Sequence, residues 1–307
     1  SGTTQSVVYG SAVSYTITAS NTPTSFNASS LPAGLSINTS TGVVSGTVTA
    51  NVGIVSSTIS ATNSAGTDSK TLTWTITPKA LTITGLSASG KVYDGNTNAT
   101  LSGSAALNGI VGSDDVVLSG TGTGSFADKN TGNNKTVTVA GYTLGGVKAA
   151  NYTFSAPSGL TANITAKALS IAAPSIASKV YDGSSATGTI TTGILSGFVG
   201  TETVAVAASG TYANADAGTG KSATITYVLA DGTNGGLAVN YSLANGTGTG
   251  NITKATPVLT TSAITVSIGA TYTLPGSSIS TTSDGTITYG ISSGGKATLS
   301  GITITGV

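Results

Sequence analysis

The five residues KVYDG occur at positions 91–95 and again, 88 positions later, at 179–183. A longer order of landmarks is duplicated around them. Each copy continues with a Val-Gly followed by an acid (Val111, Gly112 and Asp114; Val199, Gly200 and Glu202) and an aromatic residue (Phe126; Tyr212). A lysine after a glycine-rich loop (Lys135; Lys221), an Asn-Tyr and an Asn-Ile-Thr complete the order. Equivalent landmarks stay 86 to 89 positions apart. Self-similarity at a fixed spacing means one structural unit used twice, so whatever fold the chain adopts must be built from a repeated module.

The alphabet says what kind of module. The 307 residues contain no histidine, cysteine, methionine or arginine, and only 7% are charged. Valine, isoleucine, threonine, serine, asparagine and glycine suit strands and turns and make poor helices. Segments such as SYTITAS, VSSTISAT, KTLTWTIT, KTVTVAG, SATITYVL and GTITYGIS alternate apolar and small polar residues. That is the period-2 mark of half-buried strands. Turn clusters such as NSAGTD, DKNTGNN, NADAGTG and SDG separate them. The pattern predicts an all-β chain of tandem antiparallel Ig-like β-sandwiches in a linear array. Length suits two to four such domains.

Charge excludes several functions. Eleven lysines face ten acids for a net charge of +1, with no basic run, so nucleic acid is not an expected partner. No apolar stretch reaches the ~18 residues of a membrane helix, and no membrane insertion is expected in this segment. Without histidine or cysteine, with no phosphate-binding loop and no dinucleotide fingerprint, neither catalysis nor a cofactor is expected. A cysteine-free, Thr/Asn/Gly-rich β composition fits the outside of a cell. Ser1 falls in mid-pattern, and the chain reads as part of a longer one.

The junctions TPKAL near Lys79, TAKAL near Lys167 and TKATP near Lys254 lie between alternating strands. They set expected modules at 1–78, 79–166, 167–254 and 255–307, joined by linkers of two or three residues. Such short linkers predict a semi-rigid string.

Three resemblances attach to these modules. LPAGLSINTSTGVVSGT at residues 31–47 resembles the Ig/cadherin-like module of many bacterial surface proteins. KVYDG…NYTF…NIT is similar to the YDG-type repeat of large bacterial adhesins, including filamentous haemagglutinin-like proteins and gliding-motility adhesins of Bacteroidota. The tail from Ala255 resembles the opening of a bacterial Ig-like module that stops about a third short. The resemblance implies a structural stalk segment of a giant secreted surface adhesin or filament, extracellular, on the bacterial cell surface. It would project a distal binding region for attachment or motility. Its expected partners are neighbouring modules of the same polypeptide and, in one reading, other copies of itself, with the distal adhesion target unidentified. Two other readings remain: a filament or sheath subunit completed by β-strand donation, and a glycan- or ice-binding module using Trp74, Tyr9, Tyr15 or threonine-rich faces.

Candidate residues follow. In Tyr93, Asp94, Gly95 and in Tyr181, Asp182, Gly183, Asp-Gly is a turn dipeptide. The tyrosine is expected to bury its ring and hydrogen-bond its hydroxyl. Asp114, Asp115 and Asp128 are the weak metal candidates, far short of a calcium cage. An intramolecular Lys–Asn isopeptide bond would draw on Lys91 or Lys179 with Asn163 or Asn251. The competing expectation keeps these lysines solvated on strand edges.

Overall fold

The computed structural model describes residues 3–256 and three short strands at Thr271–Thr273, Ala297–Ser300 and Thr303–Gly306. The rest of the expected 255–307 module lies outside the described residues. The chain divides into two compact units. One comprises Ser1–Val92 with Asn96–Thr165, and the other comprises Tyr93–Gly95 with Ala166–Val307. Every described element is a strand apart from two single-turn 3₁₀ helices, Ala149–Asn151 and Ala238–Asn240.

In the first unit the N-terminal module is a two-sheet sandwich. Its strands are β1 (Thr4–Val8), β2 (Ala12–Thr16), β3 (Ser25–Ser29), β4 (Leu35–Asn38), β5 (Val43–Thr47), β6 (Gly53–Asn63) and β7 (Gly66–Thr77). One sheet has the order β1-β7-β6-β3 and the other β2-β5-β4. The alternation of TLTWTIT becomes alternation of burial: Leu72, Trp74 and Ile76 point inward and are at most 2% exposed. Trp74 packs edge-on against Tyr15, and its indole N–H donates to Ser57 Oγ at 3.0 Å. Ser57 in turn donates to the Ser30 carbonyl at 2.9 Å, so the buried polar chain is satisfied. Trp74 and Tyr15 are therefore core, and no aromatic platform for a sugar forms from them.

One detail of this topology positions the site. All pairs in the first sheet are antiparallel except β1 with β7, which run parallel from Thr4↔Thr73 to Val8↔Thr77. The first strand therefore finishes beside the last one, where the chain leaves the module. Tyr9 follows directly, its N–H donating to the Thr77 carbonyl at 2.9 Å.

The first repeat opens with β8 (Lys79–Ala88), which pairs with Leu101–Asn108 and, in parallel, with Tyr152–Ser155. Its second sheet is a five-stranded layer centred on the long hairpin Val117–Phe126 / Gly132–Gly145. Lys91–Val92 runs parallel to Thr161–Thr165, as β1 does to β7. The second repeat keeps the long hairpin, here Val204–Tyr212 / Gly218–Asp231, and pairs Lys179–Val180 parallel to Gly246–Thr253. Its opening strand is broken into pieces at Lys167–Ala168, Ser170–Ile171 and Ser175–Ile176. Pro174 stands where the first repeat has Leu86, which pairs with Gly103. Proline cannot donate to a ladder, and the strand parts around it.

Candidate functional site: tyrosine plugs and carboxylate sockets

A tyrosine–carboxylate network of the first unit lies where the N-terminal module adjoins the first repeat. The repeat's turn after Val111, closed by Asp114 N–H to the Val111 carbonyl at 3.1 Å, holds up the Asp114 carboxylate. Tyr152 begins the strand paired with Lys79, so it stands where the chain enters the repeat. Its hydroxyl accepts from Val111 N–H at 3.0 Å and donates to Asp114 Oδ2 at 2.5 Å. The one carboxylate oxygen also accepts from the Tyr9 hydroxyl at 2.8 Å. The two rings stack edge to face at 5.4 Å and 76°.

Tyr9 is thus a plug from one module seated in a socket of the next. It is 1% exposed and belongs to a cluster shared by both modules: Val48 and Ile76 on one side, Leu81, Val116 and Tyr152 on the other. Burying a side chain of this size stabilises by about 1.5–3 kcal/mol. A hydrogen bond to a charged acceptor adds about 1.5–3 kcal/mol. Gly10 makes the close approach possible. Its φ is +74°, and a Cβ there would lie 2.2 Å from Val111 Cγ2. A second clasp lies alongside: Asn151 accepts from Val52 N–H at 2.9 Å and donates to Asn51 at 3.0 Å, and Lys148 donates to Asn51 at 3.2 Å.

The second unit contains the same arrangement with other residues. Glu202 replaces Asp114, Tyr241 replaces Tyr152, and the plug is Tyr93. Tyr93 donates to Glu202 Oε1 at 2.8 Å and Oε2 at 3.0 Å, and Tyr241 donates to Oε2 at 2.7 Å. Val199 N–H donates to the Tyr241 hydroxyl at 3.1 Å, and the two rings meet at 5.6 Å and 79°. Gly95, at φ +81°, faces Val199 Cγ1 as Gly10 faces Val111.

Electrostatics follow from this packing. Burial, reinforced by the Asp114 bond, pushes the Tyr9 and Tyr152 hydroxyls up to about 12. Burial first, and the Glu202 bond after it, takes Tyr241 up to about 12. The bond from Tyr152 holds Asp114 below the usual carboxylate range, helped by Tyr9 and by Lys148.

The other sequence candidates are placed as follows. In the second repeat Asp182 Oδ1 accepts from Lys179 Nζ at 2.8 Å and from Ser184 N–H at 2.9 Å. Lys179 Nζ also reaches the Ser184 carbonyl at 2.8 Å, and in the first repeat Lys91 reaches the Asn96 carbonyl at 2.8 Å. Lysine and aspartate of KVYDG therefore brace the turn in the second repeat, and the lysine does so in the first. Asn163 and Asn251 accept from Asn134 N–H and Gly220 N–H, so each lysine and its isopeptide candidate are engaged with different partners. Asp115 accepts from Val147 N–H at 3.0 Å, and Asp128 pairs with Lys135 at 2.6 Å. Asp114 serves the two tyrosines. No cluster of three or more acidic, histidine or cysteine side chains suited to a metal occurs among the described residues.

Sequence reasoning offered Tyr9 to a sugar platform rather than to a joint, and it missed the joint role of the acids. Tyr9 lacks the aspartate of YDG. The available signal was that both repeats spend one of ten acids after a Val-Gly and pair it with an Asn-Tyr.

All-β modules in tandem, with a tyrosine seated on a carboxylate in each unit, define a chain of the Ig-like repeat class. It belongs to the YDG domain family, which matches residues 77–159 and 165–249, and it carries a domain of the family named "Putative Ig domain" at residues 1–77. No curated protein matches it. Among solved structures it is similar to the I-band fragment I67–I69 from titin, at 12% identity and a TM-score of 0.26 over 81% of this chain and 95% of that one. It is also similar to Drosophila N-cadherin EC1-3, at 9% identity and a TM-score of 0.24 over 82% and 99%.

Proposed function

We propose that this chain is a load-bearing stalk segment of a secreted bacterial surface adhesin or filament. In this reading it holds a distal binding region away from the cell and catalyses nothing. The observation that carries the reading is the joint of the first unit. Adjacent modules there share one apolar cluster and one Tyr–Asp–Tyr network, which a flexibly tethered pair of binding domains would not need. Burial of the aromatic residues in cores and joints also argues against a glycan platform built from Trp74, Tyr9 or Tyr15.

The test is replacement in the native surface protein. Deleting residues 79–254 should weaken attachment or motility, and an equal number of unrelated Ig-like modules should restore it. A loss that replacement leaves unrepaired would place a binding activity in the YDG modules themselves and overturn the stalk reading.

A further inference from the structure

Among the described residues three segments are built alike, and two of them seat a tyrosine on a carboxylate. Residues 8–10 and 92–95 each end a strand that runs parallel to the closing strand of their module. Both carry a tyrosine 1% exposed on a carboxylate, and a glycine at positive φ pressed against a valine. Residues 180–183 have the same preparation. Val180 pairs with Thr253, and Tyr181 N–H donates to the Thr253 carbonyl at 2.8 Å, as Tyr9 does to Thr77. Gly183 has φ +78°, and the Lys179–Asp182 pair braces the turn. The surroundings differ. Tyr181 is only half-buried, and among the described residues nothing lies within 4 Å of a Cβ built on Gly183.

We propose that residues 181–183 form a docking surface for the N-terminal end of a further YDG-type module. That partner would present a carboxylate two residues after a Val-Gly, a tyrosine from an Asn-Tyr, and the valine to lie over Gly183. The proposal rests on the stalk reading above and extends it: each YDG module carries a socket at its N-terminal end and a plug at its C-terminal end, so modules of this kind add head to tail. The occupant is a YDG module because both seated plugs lie on residues of the YDG repeats. A second copy of the chain is disfavoured, since Tyr9 and Tyr93 already fill both of its sockets.

The experiment keeps the full chain and inserts a second copy of residues 166–253 between Thr253 and Lys254. This recreates the Thr-Ala-Lys junction found at residues 165–167. Nitration by tetranitromethane, followed residue by residue by mass spectrometry, reads the tyrosines in the original and extended chains, and Ala213→Ser at an exposed position of the inserted copy gives its Tyr181 peptide a different mass from the original one. In the extended chain Tyr181 should react at least about tenfold more slowly, its reaction limited by local opening rather than by exposure. Glu202→Ala in the inserted copy should restore the faster rate. Equal rates in the two chains would overturn the proposal. Protection of Tyr181 already present in the original chain would also overturn it, assigning the surface to residues after 254. Protection appearing only at high protein concentration would assign it to a second copy instead. Tyr9 and Tyr93 separate the two levels of the argument: if they too react freely, the joints and the stalk reading fail, whereas their protection beside an unprotected Tyr181 removes this proposal alone.

Discussion

The two sockets do the same work in different surroundings. In the first, the short Asp114 is partly exposed, gives one oxygen to both tyrosines, and has the Lys148 ammonium and Asn51 close by. In the second, the longer Glu202 is 7% exposed and offers both oxygens. Leu237 precedes its 3₁₀ turn, where the first socket has Lys148. The hydroxyl donors and the valine N–H keep one geometry, so an acid of either length can serve. Burial sets how much depends on it. A hydroxyl left without an acceptor in the second socket has little water to turn to, while at Asp114 solvent can replace part of what is lost.

The sharpest way to break the comparison is to remove each acid. Glu202→Ala strands two buried hydroxyls, and a loss of about 3–5 kcal/mol is expected. Asp114→Ala should lose about 1.5–3 kcal/mol. Peptide-resolved hydrogen exchange reads both, and Trp74, the single tryptophan, reports urea unfolding of the first unit. Equal losses would mean that burial does not separate the sockets.

Next come the plug glycines. Gly10→Ala and Gly95→Ala each combine a left-handed φ with a collision, at 2.2 Å and 2.7 Å from a valine methyl. About 2–4 kcal/mol is expected at each, with Gly10 the worse. Gly183→Ala carries only the backbone term, about 1–2 kcal/mol. A cost at Gly183 as large as at Gly10 would show that its surface is covered in the chain as it stands.

The titrations sharpen the comparison more gently. Asp114 is depressed in the folded state, so its contribution is complete above the ordinary carboxylate range and fades as pH falls through the folded value. Tyr9, Tyr152 and Tyr241 are raised to about 12, so theirs is complete below the ordinary tyrosine value near 10 and is lost as pH climbs through about 12. Thermal unfolding midpoints should therefore be flat between pH 5 and about 9.5 and fall on either side. An alkaline fall that begins well below pH 10 would contradict the burial of these hydroxyls.

Much of the fold was legible because it is local. Alternation in TLTWTIT gave the inward face of Leu72, Trp74 and Ile76, and the duplicated landmarks gave a repeated module. Less was legible at the site because its partners are remote. Tyr9 and Asp114 are 105 positions apart, and Tyr93 and Glu202 are 109 apart. Periodicity carries no information at that range. Asp114 and Asp115 looked like one pair of ligands, yet the chain turns between them, with Val116 N–H donating to the Asp114 carbonyl at 2.9 Å, and one side chain goes to the tyrosines while the other goes to Val147 N–H. The parallel pairing of first and last strands is what brings Tyr9 to the joint of the first unit, and composition does not encode the direction of a strand pair.

The smallest expected effect concerns the one landmark at which the repeats differ by a single oxygen. Phe126 closes the hairpin of the first repeat, and Tyr212 occupies its place in the second. Both are buried, at 3% and 2% exposed. The Tyr212 hydroxyl is sealed from solvent and has no hydrogen-bond partner among the described residues. The first repeat does without that atom, with Lys91 Nζ 5.6 Å from the Phe126 ring centre. A buried hydroxyl without a partner costs about 1–3 kcal/mol, so Tyr212→Phe should leave stability unchanged or raise it by up to about 1 kcal/mol once lost packing is counted. The same substitution at Tyr241, whose hydroxyl accepts from Val199 and donates to Glu202, should lower it. Slower amide exchange across Val204–Tyr212 in the Tyr212 variant, beside faster exchange around Glu202 in the Tyr241 variant, is the expected contrast. A loss at Tyr212 would show that its hydroxyl has an acceptor, and would make the two hairpins differ in bonding as well as in sequence.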